Sequence, residues 1–502
     1  MKTMLSRRGF CGEVGRGMLI VTVGSQIARE LGLAGGLAEE NADTTLSFGP
    51  LEPLVVLMQE TPPDHLLPVL TDRMKSGTSL RELTAAAALA NARTFGGEDY
   101  VGFHTMMALA PALHMSSELP AARSALPVFK VLYRNTNRIQ EHGGRTNEVL
   151  HPVVPAAGDV REAIHAGDVA KAEQALAMQA ASSPDAALNE LLTAVQDTGD
   201  VHRVVLPYRA WDLMSLIGQE HALTLLRQSV RYCVRGEQWA NRSPYNEPRT
   251  LLPQLLEECK LLDREPGTRE ADDAWVENLS QTFFNATPSD AAAAAASALA
   301  EGFSPAAVGE AIALTANQLV LRDHGRTPEG EVPGKPIGSV HGDSIGVHAS
   351  DSANAWKNLA RVSNARNTFA CLILGAWQVA KDRVERGGDF AHWEPLPLKR
   401  QVEGVKSTDP TVLLSDLDEA IRGNLQARAA AIAGQYGALG HEPRALFDLL
   451  LGYAISEDGA LHAEKYFRTT SEEFAAARPA FRWRHAIGLA RITASEYGRP
   501  AP

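Results

Sequence analysis

The chain has 502 residues, 45% hydrophobic and 22% charged, an ordinary globular composition that is too long for one simple core. Its net charge of −12 argues against a nucleic-acid partner, whose phosphates need a basic face. The most apolar run, residues 369–377, is too short to span a bilayer, so no membrane span is expected after the N-terminal segment. The four cysteines, Cys11, Cys233, Cys259 and Cys371, form neither CxxC nor CxxCH. Thiolate zinc sites, redox dithiols and covalent haem are therefore not expected. Alanine and leucine are abundant and strand-type alternation is scarce, so the class reads as all-α.

At the N-terminus, Ser6-Arg7-Arg8-Gly9-Phe10 is followed by an apolar run over residues 17–28 and by small residues at Gly36 and Ala38. This resembles the twin-arginine export signal. The resemblance implies a periplasmic or extracellular destination and the twin-arginine export machinery as a partner. That route carries folded proteins, often with a cofactor inserted. Residues 1–47 are set aside from fold reasoning.

A first helical half is expected over 48–240. Thr61-Pro62-Pro63-Asp64 opens a helix, with Asp64 as N-cap, and Gly77-Thr78-Ser79 breaks that helix and caps the next. Further helices are expected over residues 99–115, 121–142, 159–179, 188–195, 201–217 and 221–233. A linker with one helix covers 241–270. The second half, 271–502, repeats the order. Thr287-Pro288-Ser289-Asp290 mirrors Thr61–Asp64, Gly302-Phe303-Ser304 mirrors Gly77–Ser79, and Glu385-Arg386-Gly387-Gly388 mirrors Glu141-His142-Gly143-Gly144. A Gly- and Pro-rich insertion over 324–337 has no counterpart. The recurrence of His, Gly and Asp in register predicts a tandem duplication of one multi-helix unit, with two pseudo-symmetric halves packed together.

The duplication is anchored by D-x-x-G-x-H, present as Asp99 to His104 and as Asp343 to His348. Three histidines recur between the halves: His104 with His348, His202 with His462, and His221 with His485. Three imidazoles fill most of a catalytic metal's coordination and leave positions open for water or substrate. They are expected to converge within one half or to be pooled between the halves, on a divalent ion (iron, copper or zinc), with non-covalent haem as a lesser possibility. Asp99 and Asp343 are candidates to orient the histidines or, alternatively, to cap the helices that carry them. His341, two helical turns before His348, is a further cofactor-binding candidate. Gly102 and Gly346 would let a neighbouring helix or ligand approach closely.

Asp200-Val201-His202 and the Gly-x-x-His-Ala-Leu segment from Gly218 to Leu223 resemble the questin oxidase-like family, which is associated with oxygen insertion into aromatic polyketides. That resemblance implies an all-α, histidine-bearing oxidative fold and assigns no catalytic residue here. No nucleophile elbow, H-E-x-x-H, Walker or GxGxxG phosphate loop is present where its chemistry needs it. The expectation is an exported metal-binding oxidoreductase acting on a small organic substrate. The alternative is a non-enzymatic helical binding or scaffold protein whose histidines serve packing.

Overall fold

The computed structural model describes residues 45–240, 242, 245–387 and 390–499. The twin-arginine motif and Gly388 lie outside the described residues. Among these, the chain forms twenty-two α-helices and no strand, with isolated bridges only between Arg269 and Phe303 and between Val332 and Lys335. The class is all-α. No helix is long and apolar enough to cross a membrane among the described residues, and Cys233 and Cys371 are buried.

Two compact units divide the chain. The first comprises residues up to Leu113, Val128–Asp197 and Leu206–Asn246; the second comprises His114–Pro127, Thr198–Val205 and everything from Glu247. The expected linker helix therefore belongs to the second unit, as do two short pieces of the expected first half. One of those pieces carries Asp200 and His202.

The first ten helices are α1 (Glu52–Glu60), α2 (Pro63–Lys75), α3 (Leu80–Phe95), α4 (Tyr100–Glu118), α5 (Leu126–Glu141), α6 (Val160–His165), α7 (Val169–Ser182), α8 (Pro184–Val195), α9 (Val201–Ile217) and α10 (Ala222–Ala240). In the first unit α1 packs on α3, and α6, α7 and α8 pack together and on α10. Ser79 opens α3 with a capping box: its Oγ accepts the Glu82 N–H at 3.2 Å and Glu82 accepts the Ser79 N–H at 2.8 Å. Two local expectations are corrected. Asp64 does not cap α2; Pro62 holds that position and Asp64 sits in the first turn, beside the positive end of the helix. The helix expected over 159–179 is two helices, because Gly167 turns the chain at φ +72° and Asp159 and Asp168 each cap a new start.

The second unit continues with α11 (Pro248–Glu258), α12 (Asp273–Asn285), α13 (Pro288–Ala300), α14 (Pro305–Arg322), α15 (Ile345–Val362), α16 (Ala365–Arg386), α17 (Lys399–Gly404), α18 (Pro410–Arg422), α19 (Gln426–Ala438), α20 (Pro443–Ala454), α21 (Ala460–Ala476) and α22 (Arg482–Glu496). Helices α12–α16 pack as one layer, α18–α22 as another, and α15 on α21 and α14 on α22 join them. Ser304 caps α14 through the Ala307 N–H and Thr287 caps α13. The second layer's core is built on Leu413, Leu417, Ile421, Leu450 and Phe467, all fully buried, each contributing about 1.5–3 kcal/mol by removal from water. Trp356 and Trp377 are also fully buried. Their indole N–H groups donate to Gln378 and Glu247, both at 2.7 Å, so neither burial leaves an unmet donor.

The insertion before α15 is a tied loop. Arg326 donates its backbone N–H to Ser339 O at 3.0 Å and accepts from Gly338 at 2.9 Å. Gly325, at φ +87°, passes so close to Gly338 that a Cβ there would lie 2.3 Å from its carbonyl carbon. Gly346, in the first turn of α15, abuts the α14 backbone; a Cβ would lie 2.9 Å from Leu319 C. This is the close helix approach expected of it.

Candidate functional site

Within the second unit, three of the six recurrent histidines come together. His202 is on the first turn of α9, His348 near the start of α15 and His462 near the start of α21. Asp200 positions the first by capping α9, its carboxylate accepting the Arg203 N–H at 2.8 Å. The His202 and His348 ring centroids are 5.8 Å apart, and those of His348 and His462 5.6 Å. Two imidazoles bound through nitrogen to one ion at about 2.0–2.1 Å place their centroids roughly 4.5–6 Å apart. The two observed separations fall in that window, although the ligand nitrogens of the three rings do not all lie within 4.8 Å of one another. Each of the three residues is half-buried, yet the Nε2 of His348 is buried and has no hydrogen-bond partner. A buried imidazole nitrogen left without a partner costs about 1–3 kcal/mol, which calls for a ligand or water at that atom.

The electrostatics favour neutral rings at His202 and His348. Burial pushes His348 down to about 3, helped by the neighbouring His202 and Lys465 and opposed by Asp343 and Asp200. Burial likewise lowers His202, with Lys465 adding and Asp200 opposing. A neutral ring is the form that ligates a metal. Asp382, buried on α16, is pushed up to about 7 by burial, with Glu385 and Asp200 adding and Lys381 opposing. Beside His462 lies a cavity of about 20 Å³ lined by Ser456, Asp458, Tyr466 and Glu496, room for one water with polar partners.

From the histidines, a buried polar ladder runs along α15 and α21. Thr469 donates to Asp351 at 2.7 Å, Asn354 donates to Glu473 at 2.8 Å, and Lys357 pairs with Glu473. His462, Thr469 and Glu473 are spaced seven and four residues apart, which puts them on one face of α21. Glu473 lies about 16 Å along the axis from His462 at 1.5 Å per residue.

The remaining candidates lie elsewhere. His104, buried in the first unit, donates Nδ1–H to Tyr100 O at 2.7 Å and stacks on Phe103. His221, also buried there, has Nε2 3.9 Å from Glu220. His485 is buried on α22 and pushed down to about 4 by burial. His104 and His221 lie in the first unit; the rings that approach one another come from both expected halves, His202 from the first and His348 and His462 from the second. His341 is buried with neither ring nitrogen partnered, and burial takes it down to about 4.

The two aspartates are engaged otherwise than as orienting groups. Asp99 caps α4 through the Gly102 N–H at 2.7 Å and is held by Arg138 at 2.6 Å; His104 turns to a backbone carbonyl instead. Asp343 takes Arg326 at 2.6 Å and Lys335 at 2.8 Å, anchoring the insertion. Burial alone would raise its carboxyl, but those two hydrogen bonds hold it below the usual range. Sequence reasoning missed Lys465, whose charge acts on His202 and His348; its signal is the i, i+3 spacing from His462.

A second set could hold a metal ion: among the described residues, His165, Asp197 and Glu237 of the first unit bring ligand atoms within 4.8 Å of one another. The tighter spacing favours it, but its charge does not. Asp197 already receives Arg161 at 2.6 Å and His165 at 2.6 Å, on different oxygens. A guanidinium on the ligand carboxylate neutralises it and repels a cation. The histidine set of the second unit meets a cation as well, since the Lys465 ammonium acts on both His202 and His348. No protein-family model, curated protein or solved structure matches the chain.

Proposed function

We propose that the protein binds a divalent metal through His202, His348 and His462, and that it is an exported oxidoreductase acting on a small organic substrate. The observation that carries the metal reading is the run of three imidazoles at ring separations of 5.8 and 5.6 Å, with a buried His348 Nε2 that has no hydrogen-bond partner. An all-imidazole set without thiolate suits iron, copper or zinc. When bound, iron or copper supplies redox chemistry at the site. Burial holds His202 and His348 below the usual imidazole range, and Asp200 lies 4.0 Å from His202 Nδ1. The oxidative class is supported by the resemblance of the segments around His202 and His221 to the questin oxidase-like family and by the absence of a nucleophile motif. Export is supported by the twin-arginine motif alone.

The duplication belongs to the same reading. It is supported by packing pairs that recur in order: α1 on α3 and α12 on α14; α3 on α10 and α14 on α22; α6 on α7 and α18 on α19. Superposing residues 100–118 on 345–362, with their neighbours, tests it; failure of the helices to overlay ends it.

Elemental analysis of protein purified through its native export pathway tests the metal site. Stoichiometric iron, copper or zinc is expected, lost in His348→Ala and His462→Ala and retained in His485→Ala. Metal that survives His348→Ala but disappears with His165→Ala would move the site to the first unit. Metal-free wild-type protein, with melting unchanged by His348→Ala, would favour the scaffold reading.

A further inference from the structure

We propose that the second unit carries another small-molecule site, away from the histidines, that takes a zwitterion with a primary ammonium, of the α-amino-acid class. A cavity of about 530 Å³ opens between the start of α14, the end of α15 and the end of α21, within the size range of ligand pockets. Its walls are small and apolar, with Pro305, Ala306, Ala360 and Ala476 among them. Its buried and half-buried charged groups are arranged as two ion pairs, Lys357 with Glu473 and Arg478 with Glu310, and the exposed Glu270 and Arg361, opposite in sign, complete its lining.

The first pair is buried, with Lys357 11% and Glu473 6% exposed, and it is built into the packing. The Lys357 stem lies over Gly309 of α14, where a Cβ would come within 2.8 Å of its Cγ. Asn354 holds the other oxygen of Glu473 at 2.8 Å, and its own Oδ1 is buried without a partner. Glu310 is fixed by the Arg478 backbone N–H and Nε, each at 2.8 Å.

The chemistry of the occupant follows from what these groups have left to give. An ammonium has three donors, and Lys357 spends one on Glu473. Each carboxylate has about four acceptor positions, of which two are taken. Unused donors and unused acceptors therefore lie side by side. The pairs cancel in charge, so a net anion or a net cation would leave one group unmatched, whereas a zwitterion matches both. Its carboxylate faces Lys357 and the N-terminal end of α14, an eighteen-residue helix. Its ammonium faces Glu473 and Glu310. No aromatic ring lines the cavity among the described residues, so a quaternary ammonium has no π face to meet. The apolar walls suit an aliphatic side chain.

Titration calorimetry of the full chain at neutral pH tests this with L-leucine, N-acetyl-L-leucine and L-leucinamide. L-leucine is expected to bind saturably and each blocked form at least tenfold more weakly. Ala306→Trp and Ala476→Trp, at exposed positions on the rim, are expected to abolish binding while leaving melting and metal content unchanged. Absence of saturable L-leucine binding, equal binding of either blocked form, or binding that survives both tryptophan variants would overturn the proposal. None of these results bears on the histidine site, whose readout is metal content.

Discussion

Replacing Lys357 by Met removes one half of a buried ion pair and leaves the other half in place. Glu473 is 6% exposed and keeps only the Asn354 amide. Breaking a buried pair in this way costs about 3–5 kcal/mol; with the remaining Asn354 bond, about 3 kcal/mol is expected at pH 7.5. The loss should depend on pH with a defined sign. In the wild type, burial would raise the Glu473 carboxyl, but the charge of Lys357, aided by His485 and by the Lys357 and Asn354 hydrogen bonds, holds it below its ordinary value, and Lys357 is the largest of these. Its stabilisation is therefore present above the unfolded value, about 4.3, and fades as pH falls through the depressed folded value. In Lys357→Met burial dominates and the folded value rises. Stability is then kept at low pH and lost as pH climbs past about 4.3. The gap between wild type and variant should shrink to about 1 kcal/mol at pH 4.5. Urea denaturation at both pH values measures it. With m of about 3 kcal/mol per M, the midpoint should fall by about 1 M at pH 7.5. Adding Glu473→Gln to Lys357→Met should recover part of the loss by removing the stranded charge. A loss below about 1 kcal/mol at pH 7.5, a gap that does not change with pH, or a double variant no better than the single would refute the reasoning.

Asp382 carries the opposite linkage. Its folded value is about 7 against an unfolded value of about 3.9, so its protonated form is favoured by folding and stability is lost as pH rises between the two. Asp382→Asn should gain about 2 kcal/mol over wild type at pH 8 and nothing at pH 4, read from urea midpoints; a pH-independent difference would count against it. Gly346→Ala, whose Cβ would press within 2.9 Å of the α14 backbone, should lose about 1–3 kcal/mol by overpacking. Gly404→Ala, which meets nothing within 4 Å, serves as its control in thermal melting, and equal effects would refute the close approach.

What the sequence made legible was local. Ser79 with Glu82 and Ser304 after Gly302 mark helix starts because a cap is decided within four residues, and the start of α9 at Val201 was readable from Asp200 in the same way. The break at Gly167 was hidden in an alanine-rich run whose propensity favours one continuous helix. The recurrence of His348 and His462 singled out two residues that do come together. That His202 joins them, and not His485, depends on how α9 enters the second unit, which no spacing encodes. Asp99 and Asp343 failed as orienting groups for a related reason. Arg138, 39 residues away, and Arg326, 17 residues away, compete for them, and the strongest donor within reach takes a carboxylate. Lys357 and Glu473 are 116 residues apart, and neither stands out along the chain.

The ladder between α15 and α21 also works as a set of detents. Two helices meeting through alanine and leucine alone can slide past one another with little change in energy. Here a slide of one turn, about 5.4 Å, would part Thr469 from Asp351 and Glu473 from both Asn354 and Lys357, leaving several polar groups stranded at once. A single buried polar contact can fix helix alignment; this pair has three beyond the histidines. His348 and His462 are thereby set at one level by the fold, so the entropy of bringing those two rings together is met during folding and would not count against the metal binding proposed for them.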